Sequence, residues 1–374
     1  MNKIKVGFVL LSSRKDPIPS TRISVLNMLP YLEKSGYEPH ILFEPEYGNE
    51  EPNLTGVVDR AVALGIDIVY FQKVRGRSAV ETASHLSARG IKTIYGVCDL
   101  VETEMADVTD ATVVVTEYLK SLYDARLHKK MFVVHDGIEN PEICVRSYRD
   151  HVGSRRNPLR AVLVTSHELS AIPTIERPPR FISVNIIGDY KRYPFLYAAK
   201  RVYWNFLSRP NWVDKLRYLR GLVQRDFVKT NWDIATVHQN MADCDIGIIP
   251  VDMTFDPLPR LDVSRWQVKS ENRLTLNMAM GLPVIASPVP AYKPIIVQGE
   301  NGYLATTRDE WLACFEALRD PQRRSAIGHK ARESVINRYS KEEQASKLLA
   351  VLRLLGEATC GSFHEAGLAG GSRD

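Results

Sequence analysis

Five consecutive residues, Lys269–Ser270–Glu271–Asn272–Arg273, stand directly before a helix-like apolar run, Leu274–Met280. A diphosphate needs positive charge and aimed donors. Lys269 and Arg273 carry the charge, and arginine adds two-pronged geometry. Ser270 and Asn272 add neutral donors, and the start of a helix adds backbone N–H groups. Capping needs one such side chain rather than five, so phosphate binding is the expectation for this segment. Gly281 then ends the helix, and Pro283–Ala286 returns the chain to a sheet.

Other chemistry-bearing residues follow short apolar runs. Ser12–Ser13–Arg14–Lys15 and Ser20–Thr21–Arg22 come after the first run. Hydroxyls and guanidiniums at a helix start suit an anion or a sugar, with Arg14 and Arg22 as acceptor contacts; an ordinary cap at Ser20 is compatible with this. Gln72, Lys73, Arg75 and Arg77 form a basic loop that could hold a charged acceptor or simply be solvated. Asp99 could take a proton from an acceptor hydroxyl or cap a loop. His135, in His135–Asp136–Gly137, is a second candidate catalytic residue, with packing as the alternative. Ser166 and His167 could contact phosphate. No G-x-G-x-x-G is present, so the usual dinucleotide fingerprint is missing.

These residues need a scaffold, and the hydrophobic pattern supplies one. Strands are expected at Val6–Leu11, His40–Phe43, Ile66–Phe71, Lys92–Val97, Ala111–Val115 and Met131–Val134. A second series is expected at Leu159–Thr165, Arg180–Ile187, Asp245–Pro250 and Leu282–Ala286. Amphipathic stretches lie between them, including Ser20–Leu32, which Pro30 must bend or end. The alternation argues for parallel sheets covered on both faces, with ligands outside the carboxyl ends of the strands. Cys144–Leu159 carries four arginines and no apolar period, and reads as a linker.

With 374 residues, two domains are the natural expectation. The boundaries read as 1–145 and 146–340, then a closing helix over 341–360 and a disordered tail over 361–374. The net charge of +5 is mild and fits an anionic ligand or membrane surface without indicating nucleic acid. The five cysteines are dispersed, with no metal or redox spacing, which fits a reducing compartment. The opening apolar run is too short for a signal peptide, and no stretch is long and apolar enough to span a membrane, so a cytoplasmic location is expected. Tyr190–Lys229 interleaves ten Lys and Arg with ten aromatics against Asp214 and Asp226. It reads either as a basic helical insertion on the sheet or as a surface for anionic lipid, which would make the protein peripheral on the inner face of the membrane. Base stacking lacks an accompanying nucleic-acid motif.

Lys269–Arg273 followed by Met278–Ala279 and Gly281–Ser287 resembles the nucleotide-binding segment of family 4 type glycosyltransferases (glycosyl transferases group 1). Ala242–Pro250, His135–Glu139, Gly299–Leu304 and Leu318–Tyr339 resemble other segments of that family. The resemblance implies an α/β GT-B fold, two doubly wound Rossmann-like domains facing across a cleft. The first would be the acceptor domain and the second the nucleotide-sugar donor domain. It implies transfer of a sugar from a nucleotide-sugar donor to a glycan or lipid-linked glycan acceptor, in surface polysaccharide assembly. No metal is required, because side chains and a helix N-terminus hold the leaving diphosphate. By position, Ser270, Asn272 and Arg273 would hold the phosphates with Lys269 nearby, and Glu271 and Pro250 would lie near the donor sugar and nucleotide. The chain departs from the family at Val268 and Leu276, where two glutamates are usual and the later one binds ribose. A non-catalytic GT-B-like binding subunit and a nucleotide-sugar epimerase are the rival expectations.

Overall fold

The computed structural model describes the chain except residues 1–2, 146, 166–171, 176, 189, 191–194, 210, 224–226, 259–260 and 367–374. The chain divides into two compact units. Unit 1 comprises Met1–Glu139, Phe255–Asn272 and the chain from Tyr339 onward; unit 2 comprises Asn140–Thr254 and Arg273–Arg338. The sequence reading placed 146–340 in one domain. Phe255–Asn272 groups instead with unit 1, where Leu258 and Val268 are buried in its core.

Unit 1 is built on strands β1 (Lys5–Val9), β2 (Glu38–Phe43), β3 (Ile68–Gln72), β4 (Lys92–Val97), β5 (Ala111–Val114) and β6 (Met131–Val133). Their order is β2-β1-β3-β4-β5-β6, and every pair is parallel. β3 is buried along its whole length, as a central strand covered on both faces must be. The strand order reverses between β1 and β3, so the loops after these strands splay apart and leave a crevice at their carboxyl ends.

The stretch after β1, expected as a helical stripe over Ser20–Leu32 bent or ended by Pro30, is broken before that proline. It forms a short turn at Pro19–Thr21, a π-helical segment at Arg22–Leu26 and a helix at Leu29–Lys34. Pro30 lies in the first turn of that last helix, where its missing N–H takes no hydrogen bond away. The final helix runs Lys341–Ala366, so residues 361–366 are helical where a disordered tail was expected. Ala345, Leu348, Leu349 and Leu352 recur at helical spacing and pack with Val6, Phe8 and Ile68 of the unit 1 sheet.

Unit 2 is built on β7 (Leu159–Val164), β8 (Ile182–Gly188), β9 (Phe227–Asn231), β10 (Ile246–Ile249), β11 (Val284–Ala286) and β12 (Tyr303–Leu304), in the order β12-β11-β10-β7-β8-β9. All pairs are again parallel. β9 and β12 were not expected as strands. β9 is mostly exposed and β12 has only two residues, so neither has a long buried apolar run to betray it. The remainder of the Tyr190–Lys229 stretch contains helices Phe195–Leu207 and Trp212–Val223.

Candidate functional site

The carboxyl ends of the unit 1 strands converge on a small pocket. It is lined by Ile23 and Ser24 after β1, Gln72 and Lys73 at β3, Cys98 after β4, and His135 and Asp136 after β6. Its free volume of about 30 Å³ has room for a water molecule or one hydroxyl, not a sugar ring.

Gln72 is buried and organises the rim. Its Oε1 accepts from the Leu11 N–H at 3.0 Å and from the Thr21 hydroxyl at 2.9 Å, which ties the loop after β1 to β3. Lys73 follows with φ of 57°, a left-handed conformation that an ordinary residue holds only when its surroundings enforce it. Its N–H donates to the Gly96 carbonyl at 2.7 Å, and its ammonium pairs with Asp99 at 2.9 Å and Glu50 at 3.0 Å. Burial pulls the Lys73 ammonium down, but the Asp99 and Glu50 carboxylates more than offset this, so its pKa is raised. Asp99 is therefore the anionic half of an ion pair. Burial first, and then the Asp99 charge, push the Cys98 thiol far up, which keeps it protonated and a poor nucleophile.

His135 is fixed from several sides. Its N–H donates to Gln344 Oε1 at 2.9 Å, and its ring lies 4.9 Å from that of Tyr339. Nδ1 is 2.8 Å from the Val115 carbonyl and 2.7 Å from Glu271 Oε1. A carbonyl only accepts, so Nδ1 carries the proton and shares it between the two oxygens. Glu271 is 1% exposed, and its Oε2 is buried without a hydrogen-bond partner among the described residues.

Asp136 completes the cluster. It is buried, and its carboxyl is pushed up to about 7. Burial is the largest cause and the Glu271 charge the next; a hydrogen bond from Ser270 and the nearby His135 pull it partly back. Its protonation state therefore changes near neutrality, as proton-transfer chemistry requires.

The structure thus brings together Gln72, Lys73, Asp99, His135, Ser270 and Glu271, all within unit 1. The partners of Ser270 and Glu271 are Asp136 and His135, where a donor molecule was expected. Asp136 and Cys98 were not singled out from the sequence. The signal for Asp136 was available: it is a titratable acid directly beside His135 in the segment after β6.

Arg14 and Arg22 do not reach this cluster. Arg14 forms a two-pronged pair with Glu44 at 2.9 and 3.0 Å and is half exposed. Arg22 pairs with Glu139 at 2.9 and 3.0 Å, and Asn27 donates to the same carboxylate. Lys269 and Asn272 lie in unit 1, and Asn272 opens the helix Asn272–Ala279, whose remaining residues belong to unit 2. Ser166 and His167 lie outside the described residues.

In unit 2, Arg273 is partly exposed in the first turn of that helix. Gly281 follows with φ of 78°, where a side chain would be strained, and its carbonyl accepts from the Tyr148 hydroxyl at 2.6 Å. Pro250 follows β10 and is buried. The Ser287 hydroxyl accepts from the Val251 N–H at 2.9 Å and so ties the ends of β10 and β11. Val268 is a core residue of unit 1, and Leu276 packs against an apolar cluster of unit 2. Neither position offers a carboxylate to a ribose. Among the described residues, no group of three or more His, Cys, Asp or Glu is arranged to hold a metal, and no helix is long and apolar enough to cross a membrane.

No protein-family profile matches the chain, and no curated protein matches it in sequence. Solved structures do match in fold. HepE from Anabaena, crystallised in complex with UDP and glucose, aligns with a TM-score of 0.62 at 14% identity, over 94% of this chain and 99% of its own. A glycosyltransferase from Rickettsia africae aligns with a TM-score of 0.65 at 14% identity, over 95% and 99%. Sucrose-phosphate synthase from Thermosynechococcus elongatus aligns with a TM-score of 0.65 at 11% identity, over 95% and 100%. The two doubly wound parallel sheets are those of the GT-B fold.

Proposed function

We propose that the chain transfers a glycosyl group from a nucleotide-sugar donor to a hydroxyl acceptor. The observation that carries this reading is Asp136: a buried carboxyl, titrating near 7, at the carboxyl edge of a sheet in a GT-B fold. In this reading Asp136 receives the proton of the acceptor hydroxyl. Asp99 is less suited, because Lys73 holds it as an ion pair. His135 and Glu271 act as positioning residues: the shared Nδ1 proton fixes the ring, and the Glu271 charge sets the basicity of Asp136. Lys73 pairs with Asp99 and Glu50 and so offsets the charge of these two carboxylates.

On the donor side, Arg273 in the first turn of Asn272–Ala279 would hold the diphosphate together with that helix N-terminus. This needs no metal in the proposed chemistry. HepE supports a uridine nucleotide as the first donor to try, since that protein was crystallised with UDP and glucose. The acceptor class we infer is a glycan or lipid-linked glycan of a surface polysaccharide. The test is nucleotide release from UDP-, GDP-, CMP- and dTDP-sugars, with and without glycan acceptors. Acceptor-stimulated release that is lost in Asp136→Asn supports the reading; inactivity with every donor overturns it.

Val268 and Leu276 favour a second reading. Both are apolar and packed where the resembling enzymes carry glutamates. A binding subunit that recognises a nucleotide without turning it over would tolerate that loss. Nucleotide binding by calorimetry without any release of product distinguishes it.

A further inference from the structure

We propose that the helix pair Phe195–Leu207 and Trp212–Val223 of unit 2 is a docking surface for an anionic lipid bilayer. The pair connects two adjacent parallel strands, β8 and β9. Such a crossover is satisfied by a single helix packed on the sheet. Here there are two, and among their described side chains only Tyr218 is buried.

The exposed side chains are the wrong kind for a solvated face. Trp212 is 71% exposed and Trp204 58%, with Tyr203, Leu207, Val213 and Leu216 also exposed. Large apolar residues exposed singly are ordinary, but a concentration of them marks a partner. The charge identifies which partner. Residues 195–223 carry Lys200, Arg201, Arg209, Lys215, Arg217 and Arg220 against Asp214 alone. A second copy of the chain would bring an equally basic segment against this one. An anionic surface is complementary.

The mixing of cations with aromatics favours a bilayer. The Lys215 ammonium lies 5.2 Å from the Trp212 ring centre and 5.5 Å from that of Phe206, and the Arg209 guanidinium lies 5.3 Å from that of Tyr218. Indole and phenol rings settle at the depth of lipid headgroups, while Lys and Arg reach phosphates from the same level. The pair is thus built to lie in the plane of the interface rather than to cross it.

The experiment is flotation of the full chain with vesicles of phosphatidylcholine alone or mixed with phosphatidylglycerol. Binding to the mixed vesicles that weakens as salt is raised is expected. W204S/W212S is expected to weaken partitioning roughly tenfold or more, and R209E/K215E by about fivefold or more for each cation reversed. Because Trp204, Arg209 and Trp212 are exposed and Lys215 is only half-buried, the variants should keep close to the wild-type melting temperature. Equal flotation on neutral vesicles, or flotation unaltered in both variants, overturns the proposal. So does absence of flotation, whether or not sedimentation shows self-association through these aromatics. The readout is lipid binding and not transfer, so its failure leaves the proposed reaction untouched.

Discussion

His135 Nδ1 lies 2.7 Å from Glu271 Oε1, and these two residues are separated by 136 positions in the chain. The contact places a buried carboxylate beside Asp136 and thereby raises its pKa. It links the end of β6 to a segment that would otherwise read only as a phosphate loop.

The first consequence is kinetic. If Asp136 must be ionised to accept a proton, kcat/KM rises with pH through about 7. Glu271→Gln removes the second-largest cause of that elevated value while keeping side-chain volume. The acid limb of the pH–rate profile is then expected to move to lower pH. A limb that stays in place disconnects Glu271 from the proton acceptor.

Stability should show the same group from the other side. The folded-state pKa of Asp136 is raised, so the folded protein binds the extra proton between the ordinary 3.8 and about 7. Its contribution is fully present below that window and is lost as pH rises through about 7. Asp136→Asn removes the cost of burying the charge, with a ceiling of about 4 kcal/mol. Urea unfolding should find the variant more stable than wild type at pH 8 and nearly equal at pH 4, even as transfer is lost. Equal stability at pH 8 contradicts a buried, ionised Asp136.

Arg273→Ala tests the donor side. A hydrogen-bonded charge on a diphosphate contributes about 1.5–3 kcal/mol, a loss of roughly 10- to 150-fold in affinity. Calorimetry with UDP is the measurement, and unchanged affinity removes Arg273 from the donor site.

Arg22→Ala leaves Glu139 with Asn27 but without its two-pronged cation. Both partners are mostly buried, so a loss of about 1–3 kcal/mol is expected in chemical unfolding. Loss of donor or acceptor affinity with intact stability would instead make Arg22 a ligand contact.

Gly328→Ala addresses unit 2. A Cβ there would collide with the Gly281 carbonyl oxygen and the Tyr148 hydroxyl. These two are already joined by a 2.6 Å hydrogen bond and leave no slack. A cost of about 2–3 kcal/mol is expected, read as a lowered melting temperature; wild-type stability would mean that the turn after Asn272–Ala279 can yield.

Much of the fold was legible because a buried parallel strand needs an unbroken apolar run. Lys92–Val97 is read at its true bounds, and nine of the other strands are read to within two residues. Short or exposed strands escaped: Tyr303–Leu304 is too short to carry a pattern, and Phe227–Asn231 has polar residues along a sheet edge. Pro30 was recognised as a boundary, but local chemistry does not say whether it ends one helix or begins the next.

The candidate site divides in the same way. By itself the sequence determined which residues follow strands, and hence that Gln72, Lys73, Asp99 and His135 belong at the carboxyl ends of one sheet, because strand periodicity is local. Only the tertiary structure decided that Ser270 and Glu271 join them and that Val268 is core rather than site. It also decided that Asp136 titrates near 7. Burial and electrostatic neighbours are set by segments more than a hundred residues apart, and a residue's type at its own position carries no record of them.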